Sequence, residues 1–276
     1  MFLKDILIEA GRQLKAISDS PQLDAGLLLA HTLKLNRTQL YSLPSDYRLC
    51  DEQLDSYQKL IKKRLTGYPV AYLINNREFY GRNFFIKKGV LIPRPDSEIL
   101  IETVLALYRK QPFKTLRDVG TGSGCLAITL ALELGEAVLV TASDISSIAA
   151  EVFAVNNQNL TGGKVAFKEV SLLEDDESYD VIIANLPYLT TEETNEKLAE
   201  QWQEPALALD GGGDGLILIA KLIKQAQGKT SAIILEADPR QMAAINKLLI
   251  AAGFNHTHTE RDLAGDERII IGKINN

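Results

Sequence analysis

The chain has 276 residues, 46% of them hydrophobic and 24% charged, with a mean hydropathy of −0.03. These are ordinary globular values and exclude a disordered, collagen-like or low-complexity protein. The formal net charge of −6 is uneven: residues 1–80 carry 11 Lys+Arg against 9 Asp+Glu, the rest 19 against 27. A body of net −8 does not look like a nucleic-acid binder, whose domain is usually basic.

Two cysteines, Cys50 and Cys125, make neither a disulfide framework nor a zinc cluster. No apolar run approaches the ~20 residues needed to cross a bilayer. Met1 to Asp5 shows no signal or transit pattern, so a cytoplasmic protein is expected.

Residues 1–65 read as a small helical bundle. Phe2, Leu3, Ile6, Leu7, Ala10, Leu14 and Ile17 recur at three- and four-residue spacing. Ser18 to Pro21 breaks that helix, and amphipathic segments follow at Leu23–Leu33 and Leu54–Leu65. Over residues 70–92 the pattern changes. Tyr72-Leu73-Ile74, Phe79-Tyr80-Gly81 and Phe84-Phe85-Ile86 predict strands and a β-hairpin. Pro93 and Pro95 end it, and Asp96-Ser97 is placed to cap a helix through Leu107.

From about residue 115 strands and helices alternate. Strands are expected at 116–119, 137–142, 165–168, 179–184 and 231–236, with helices at 126–134, 148–160 and 216–227. Pro239 opens a further helix that Gly253 closes, and 254–259 with 268–274 form a hairpin. The alternation means an α/β protein with a mostly parallel sheet covered on both faces.

Two turns carry chemistry. Asp118-Val-Gly120-Thr121-Gly122-Ser123-Gly124 joins the first strand of this region to a helix. Its glycines let a ligand approach the backbone, and the helix N-terminus points the same way. The position where a dinucleotide fingerprint needs its third glycine is Cys125, which favours a nucleoside cofactor without a pyrophosphate. Asp144 ends the next strand, placed for ribose hydroxyls. The second turn, Asn185-Leu186-Pro187-Tyr188, follows a wholly apolar strand. An Asn side chain and the Leu186 carbonyl can accept both N–H bonds of a planar NH₂ group, with Tyr188 stacking on its plane. Such a nitrogen is a poor nucleophile until its lone pair is aimed at an electrophile.

At these residues the chain resembles the class I S-adenosylmethionine-dependent methyltransferases. It is similar in particular to the PrmC/HemK family of protein-(glutamine) methyltransferases, which act on class-1 peptide-chain release factors. The resemblance includes Gly67-Tyr68-Pro69-Val70-Ala71-Tyr72, Glu78 to Gly81, Val90 to Glu98, Glu204-Pro205, Gly212 to Leu216, Leu235-Glu236 with Gln241, and Asp262 to Gly265 with Arg268. It implies a Rossmann-like, seven-stranded domain over 93–276, a release-factor-recognising helical domain over 1–68 and a hairpin linker over 69–92. It implies S-adenosylmethionine held by Gly120, Thr121, Gly122, Ser123, Gly124 and Asp144, with Leu172 near the adenine and a contact from Asn185. Asn185, Leu186, Pro187 and Tyr188 would bind the target glutamine of a GGQ motif, with Asn185 and Tyr188 catalytic.

The chain departs from the family's pattern at Leu186, usually Pro, at Ser171-Leu172, usually an acid and a hydrophobe, and at Ser97, usually Thr. Asn-Leu-Pro-Tyr also occurs in rRNA adenine dimethyltransferases, but these predict a basic chain with its helical domain after the core. A nicotinamide-dependent oxidoreductase would use the same sheet edge and leave Asn185 to Tyr188 unexplained. His256 with His258, and the Asp210 to Asp214 loop, read as a strand face and a helix-leading loop, so no metal is expected. Arg94, fenced by prolines, is a candidate for shaping the active site. A monomer without nucleic-acid or membrane partners is expected.

Overall fold

The computed structural model describes residues 2–44, 46–174 and 176–274; Met1, Ser45, Asp175, Asn275 and Asn276 lie outside the description. The chain divides into two compact units. One takes in residues up to Asn76 with Gln201–Gln203, the other Arg77–Glu200 and Glu204 onward.

The first unit is helical: α1 (Leu3–Leu14), α2 (Pro21–Leu33), α3 (Arg37–Tyr41), α4 (Asp51–Leu65) and α5 (Val70–Ile74). The apolar stripe of α1 buries Leu3, Ile6, Ala10 and Leu14. Ile17, expected on that stripe, lies beyond the helix end and is exposed. Pro21 starts α2 rather than merely ending α1, because its missing N–H costs nothing at a first helical position. Leu28, Leu29, Leu40 and Tyr57 share one core, in which the Tyr57 hydroxyl donates to the Ala25 carbonyl at 3.1 Å. Residues 72–74, expected as strand, are helical: Pro69 precedes one turn that Asn75 ends in the left-handed region at φ 52°.

The hairpin is therefore shorter than expected, β1 (Asn76–Phe79) and β2 (Arg82–Phe85). Tyr80 and Gly81 between them have φ 49° and 69°, the primed geometry that matches strand twist.

The second unit continues with α6 (Glu98–Lys110), β3 (Thr115–Val119), α7 (Cys125–Leu134), β4 (Leu139–Asp144), α8 (Ser147–Thr161), β5 (Ala166–Glu169), β6 (Tyr179–Ala184), α9 (Thr191–Ala199), α10 (Ile217–Ala226), β7 (Thr230–Glu236), α11 (Met242–Ala251), β8 (His256–Arg261) and β9 (Glu267–Lys273). Strand order is β5-β4-β3-β6-β7-β9-β8. β5, β4, β3, β6 and β7 run parallel, and β9 returns antiparallel to β7. Side chains alternate across the sheet. Ile182, Ala184, Ile233 and Leu235 face α10 and α11 in one apolar cluster, while α6, α7 and α8 pack side by side against the sheet. The fold class is the expected Rossmann-like α/β architecture. The strand order reverses between β3 and β6, where open sheets of this kind bind ligands. No helix of the described residues is long and apolar enough to cross a membrane.

Candidate active site

Both turns leave the carboxyl edge of the sheet at this reversal, one from β3 and one from β6. Gly120, Gly122 and Gly124 have φ of 73°, 56° and 83°, a region that L side chains rarely adopt. The Gly120 and Thr121 N–H groups donate to the Ser143 carbonyl at 2.8 and 2.9 Å, so the turn is pinned to β4. Asp118 is fully buried beneath it. Its Oδ2 accepts from Thr121 Oγ1 at 2.6 Å and from the Ala127 N–H at 3.2 Å, and Oδ1 has no partner among the described residues. Burial pushes the Asp118 carboxyl up to about 7 against those two hydrogen bonds.

Asp144 ends β4. Its Oδ2 accepts from the Gly122 N–H and its Oδ1 from the Ser146 N–H, both at 2.9 Å. Burial lifts its carboxyl above the usual range, with the backbone N–H groups acting the other way. The Ile145 N–H is a third backbone donor to this carboxylate, which leaves room for one further hydrogen bond.

One cleft is lined by Gly120, Gly122, Asp144, Leu172, Asn185, Leu186 and Pro187. The structure thus brings together seven of the eleven residues singled out from the sequence. Thr121 and Ser123 are buried under the turn, where Asn156 Nδ2 donates to the Ser123 carbonyl at 2.9 Å. Gly124 packs against Phe153 and Ile128; a Cβ there would sit 2.6 and 2.8 Å from them. Tyr188 is half-buried against the β6–β7 apolar cluster rather than among the lining residues.

Asn185 Nδ2 donates to Ser97 Oγ at 3.1 Å. Ser97, expected to cap α6, makes no capping bond; its hydroxyl is used by the site instead. The Tyr188 carbonyl accepts from Gln241 Nε2 at 2.9 Å. The glycine-rich loop 210–215 lies against the same backbone. A Cβ on Gly211 would be 2.6 Å from the Pro187 carbonyl oxygen, and one on Gly215 would be 2.3 Å from that of Tyr188. Asp210 Oδ1 accepts from Thr191 Oγ1 and the Gly212 N–H, and Asp214 Oδ1 from the Leu216 N–H, so these acids hold their own loop together. His256 and His258 lie on β8, with His258 Nε2 3.6 Å from Glu260 Oε1.

The lining also includes Val90, Leu91, Pro205, Leu207 and Ala208, none of them expected in the site; Val90, Leu91, Pro205 and Ala208 lie in the stretches that carry the family resemblance. Their signal was a run of apolar residues beside proline. Arg94 explains how that wall stands: it pairs with Glu204, whose other oxygen accepts the Ile92 N–H at 2.8 Å, so one buried carboxylate ties both segments. Arg94 shapes the cleft as a strut. A larger hollow of 310 Å³ lies by Lys114, Asp180 and Ser231, at the starts of the strands and away from both turns.

The residues present fit a nucleoside cofactor. Gly122 faces open space where a Cβ would stand, beside the unfilled lone pair of Asp144. Ile145 and Leu207, also in the lining, are more than half exposed and offer the cleft apolar surface.

Comparison with known proteins agrees along the chain. Residues 5–74 match the family described as PrmC N-terminal domain, and residues 95–246 the methyltransferase small domain. The release factor glutamine methyltransferase of Clostridium botulinum is 38% identical over 283 residues, covering 98% of each chain. That of Neisseria gonorrhoeae is 36% identical over 93% of this chain and 95% of its own. The bifunctional methyltransferase of Rickettsia conorii is 32% identical over 98% of this chain and 57% of its own. The catalytic domain of hMettl16, solved with a MAT2A 3′UTR hairpin, superposes with a TM-score of 0.59 at 15% identity, covering 72% of this chain and 77% of that one, and shares the fold. Related along almost its entire length to enzymes of one kind, the chain belongs to the release factor glutamine methyltransferase family.

Proposed function

We propose that this enzyme transfers a methyl group from S-adenosylmethionine to the side-chain amide nitrogen of a glutamine in class-1 peptide-chain release factors, at their GGQ motif. The observation that carries the reading is the single cleft shared by Asp144 and the glycine turn at one end and Asn185 to Pro187 at the other. When bound, the cofactor supplies a methyl carried on a sulfonium sulfur.

In this reading Asp144 accepts from a ribose hydroxyl through the lone pair that its backbone donors Gly122, Ile145 and Ser146 leave open. Gly120 and Gly122 let the ligand lie against bare backbone, and Leu172 walls the base. Asn185 accepts one N–H of the target amide and the Leu186 carbonyl the other, so the amide plane and its lone pair are fixed. Tyr188, expected to stack on the amide plane, packs against the β6–β7 apolar cluster and stiffens the end of the motif. No strong base is needed, because the amide nitrogen becomes acidic once alkylated. Holding two reactants in line contributes roughly 7–11 kcal/mol to such a step.

We assign residues 1–68 to release-factor recognition, 69–92 to a linker and 93–276 to catalysis, in a cytoplasmic monomer. The −8 charge outside residues 1–80 argues for a protein substrate over RNA, since phosphate binding draws on Lys and Arg. The test sets labelled S-adenosylmethionine with purified release factor beside the same reaction with ribosomal RNA. Label on a release-factor glutamine, located by mass mapping, supports the reading; label entering RNA and not protein refutes it.

A further inference from the structure

Glu236 closes β7 with 2% of its surface exposed. Ala184 pairs with Leu235 across β6 and β7, so Asn185 and Glu236 leave the sheet side by side. Glu236 Oε2 is buried and has no hydrogen-bond partner among the described residues. A buried carboxyl with one oxygen left without a partner is costly, and one at an active-site edge calls for a reason. Burial pushes it up to about 7, while Ser97 and Asn185 both face it and favour its charged form, as does Arg268 from β9; Asp96 opposes.

Ser97 is one link. It is 3% exposed and gives nothing to the helix it precedes. Its Oγ accepts from Asn185 Nδ2 at 3.1 Å. A hydroxyl has a single proton, and Glu236 in its ionised form, which Ser97, Asn185 and Arg268 favour, can only accept. In that form the Ser97 proton has Glu236 as its acceptor, and the Asn185 amide, hydrogen-bonded to both Ser97 and Glu236, donates from its nitrogen. An Asn side chain whose nitrogen is committed inward has only its oxygen left for the cleft. Reversed, the same side chain would present an NH₂ group, which cannot accept the N–H of an incoming amide.

We propose that Glu236 is a positioning residue which, directly and through Ser97, fixes the Asn185 side chain with its oxygen toward the target amide. The inference rests on the amide-methylation reading above. Glu236 touches no substrate, and no bond changes at it; it sets the polarity of the site before the reaction.

The experiment compares Glu236→Gln, Ser97→Ala and Ser97→Thr with wild type, using labelled S-adenosylmethionine and purified release factor, with melting curves and cofactor calorimetry on each. Gln matches Glu in shape and removes a buried charge, so a merely structural role predicts unchanged or higher stability and unchanged turnover. A polarity-setting role predicts kcat lower by roughly ten- to hundredfold at unchanged cofactor affinity, because Gln can donate to Ser97 and reverse these bonds. Ser97→Ala, which leaves the direct Asn185–Glu236 hydrogen bond, should lose a smaller factor, Ser97→Thr should recover most of it, and Ser97→Ala with Glu236→Gln should be no worse than Glu236→Gln alone. If Glu236→Gln does not fold, the Ser97→Ala and Ser97→Thr pair decides the matter. Wild type that labels the release factor while Glu236→Gln turns over at full speed overturns this inference alone. Wild type that labels no protein overturns the functional reading and this inference with it.

Discussion

The two turns at the reversal of the sheet do adjacent jobs by different means. The turn after β3 is specified by what is missing. Its three glycines take left-handed backbone, and its N–H groups are held by the Ser143 carbonyl and the Asp144 carboxylate. The turn after β6 is specified by what is present, and by distant partners: Ser97 is 88 residues before Asn185, and Gln241 is 53 residues after Tyr188. A site built on bare backbone tolerates side-chain change and fails on an added Cβ. A site built on side-chain polarity fails on the loss of one atom.

Substitutions can separate the two. Asn185→Ala should have the largest effect, lowering turnover by about a hundred- to a thousandfold, the scale of losing one aimed hydrogen-bonding group, while calorimetry finds cofactor affinity little changed. Single-turnover rates near wild type would remove Asn185 from the chemistry. Asp144→Ala should act in the opposite sense. Cofactor affinity should fall by roughly ten- to hundredfold, the size of a hydrogen bond to a charged group, with the rate at saturating cofactor nearly kept. Unchanged affinity in a folded variant would take Asp144 out of the site.

Gly120→Ala tests shape alone. Left-handed backbone costs an alanine roughly 1–2 kcal/mol, and its Cβ would lie 2.8 Å from Leu186 Cδ2. The melting temperature should fall by about 2–8 °C. Leu186→Pro should be the mildest, with turnover within about threefold, because the carbonyl survives the change. It should also relieve part of the Gly120→Ala defect by removing the methyl that the new Cβ meets, a coupling measurable in a double-mutant cycle.

Much of this was legible in the sequence. Strand and helix periods gave the order of the elements, and the glycines and the Asn-Leu-Pro-Tyr run marked both turns, because these depend on local residues. What was illegible depends on remote ones. Ser97 looked like a helix cap, and only its meeting with Asn185 across the fold shows its use. Tyr72 to Ile74 carried a strand's composition, yet Leu73 and Ile74 pack with the helical core and the segment is helical. Arg117 sits fully buried in β3, which reads as plain strand. It is paired with Glu177 and the Ala142 carbonyl, and neither partner is predictable from spacing. The short helix α9 went unread because its stripe is mostly charged and buries only Thr194. Pro205 to Ala208 belong to the cleft only because Glu204 is tied to Arg94 and Ile92.

Leu172 carries a further consequence. It stands in the cleft wall with φ 65°, in backbone that suits glycine, while its side chain is buried in the β6–β7 cluster. The conformational cost of roughly 1–2 kcal/mol and the gain of roughly 1.5–3 kcal/mol from burying a leucine side chain nearly cancel. Selection for a stable fold alone would therefore be almost indifferent between leucine and a residue at ease in that conformation. If Leu172 walls the cofactor as proposed, drift at this position would be silent in folding and audible only in ligand binding, so that close relatives could diverge in cofactor affinity without diverging in structure.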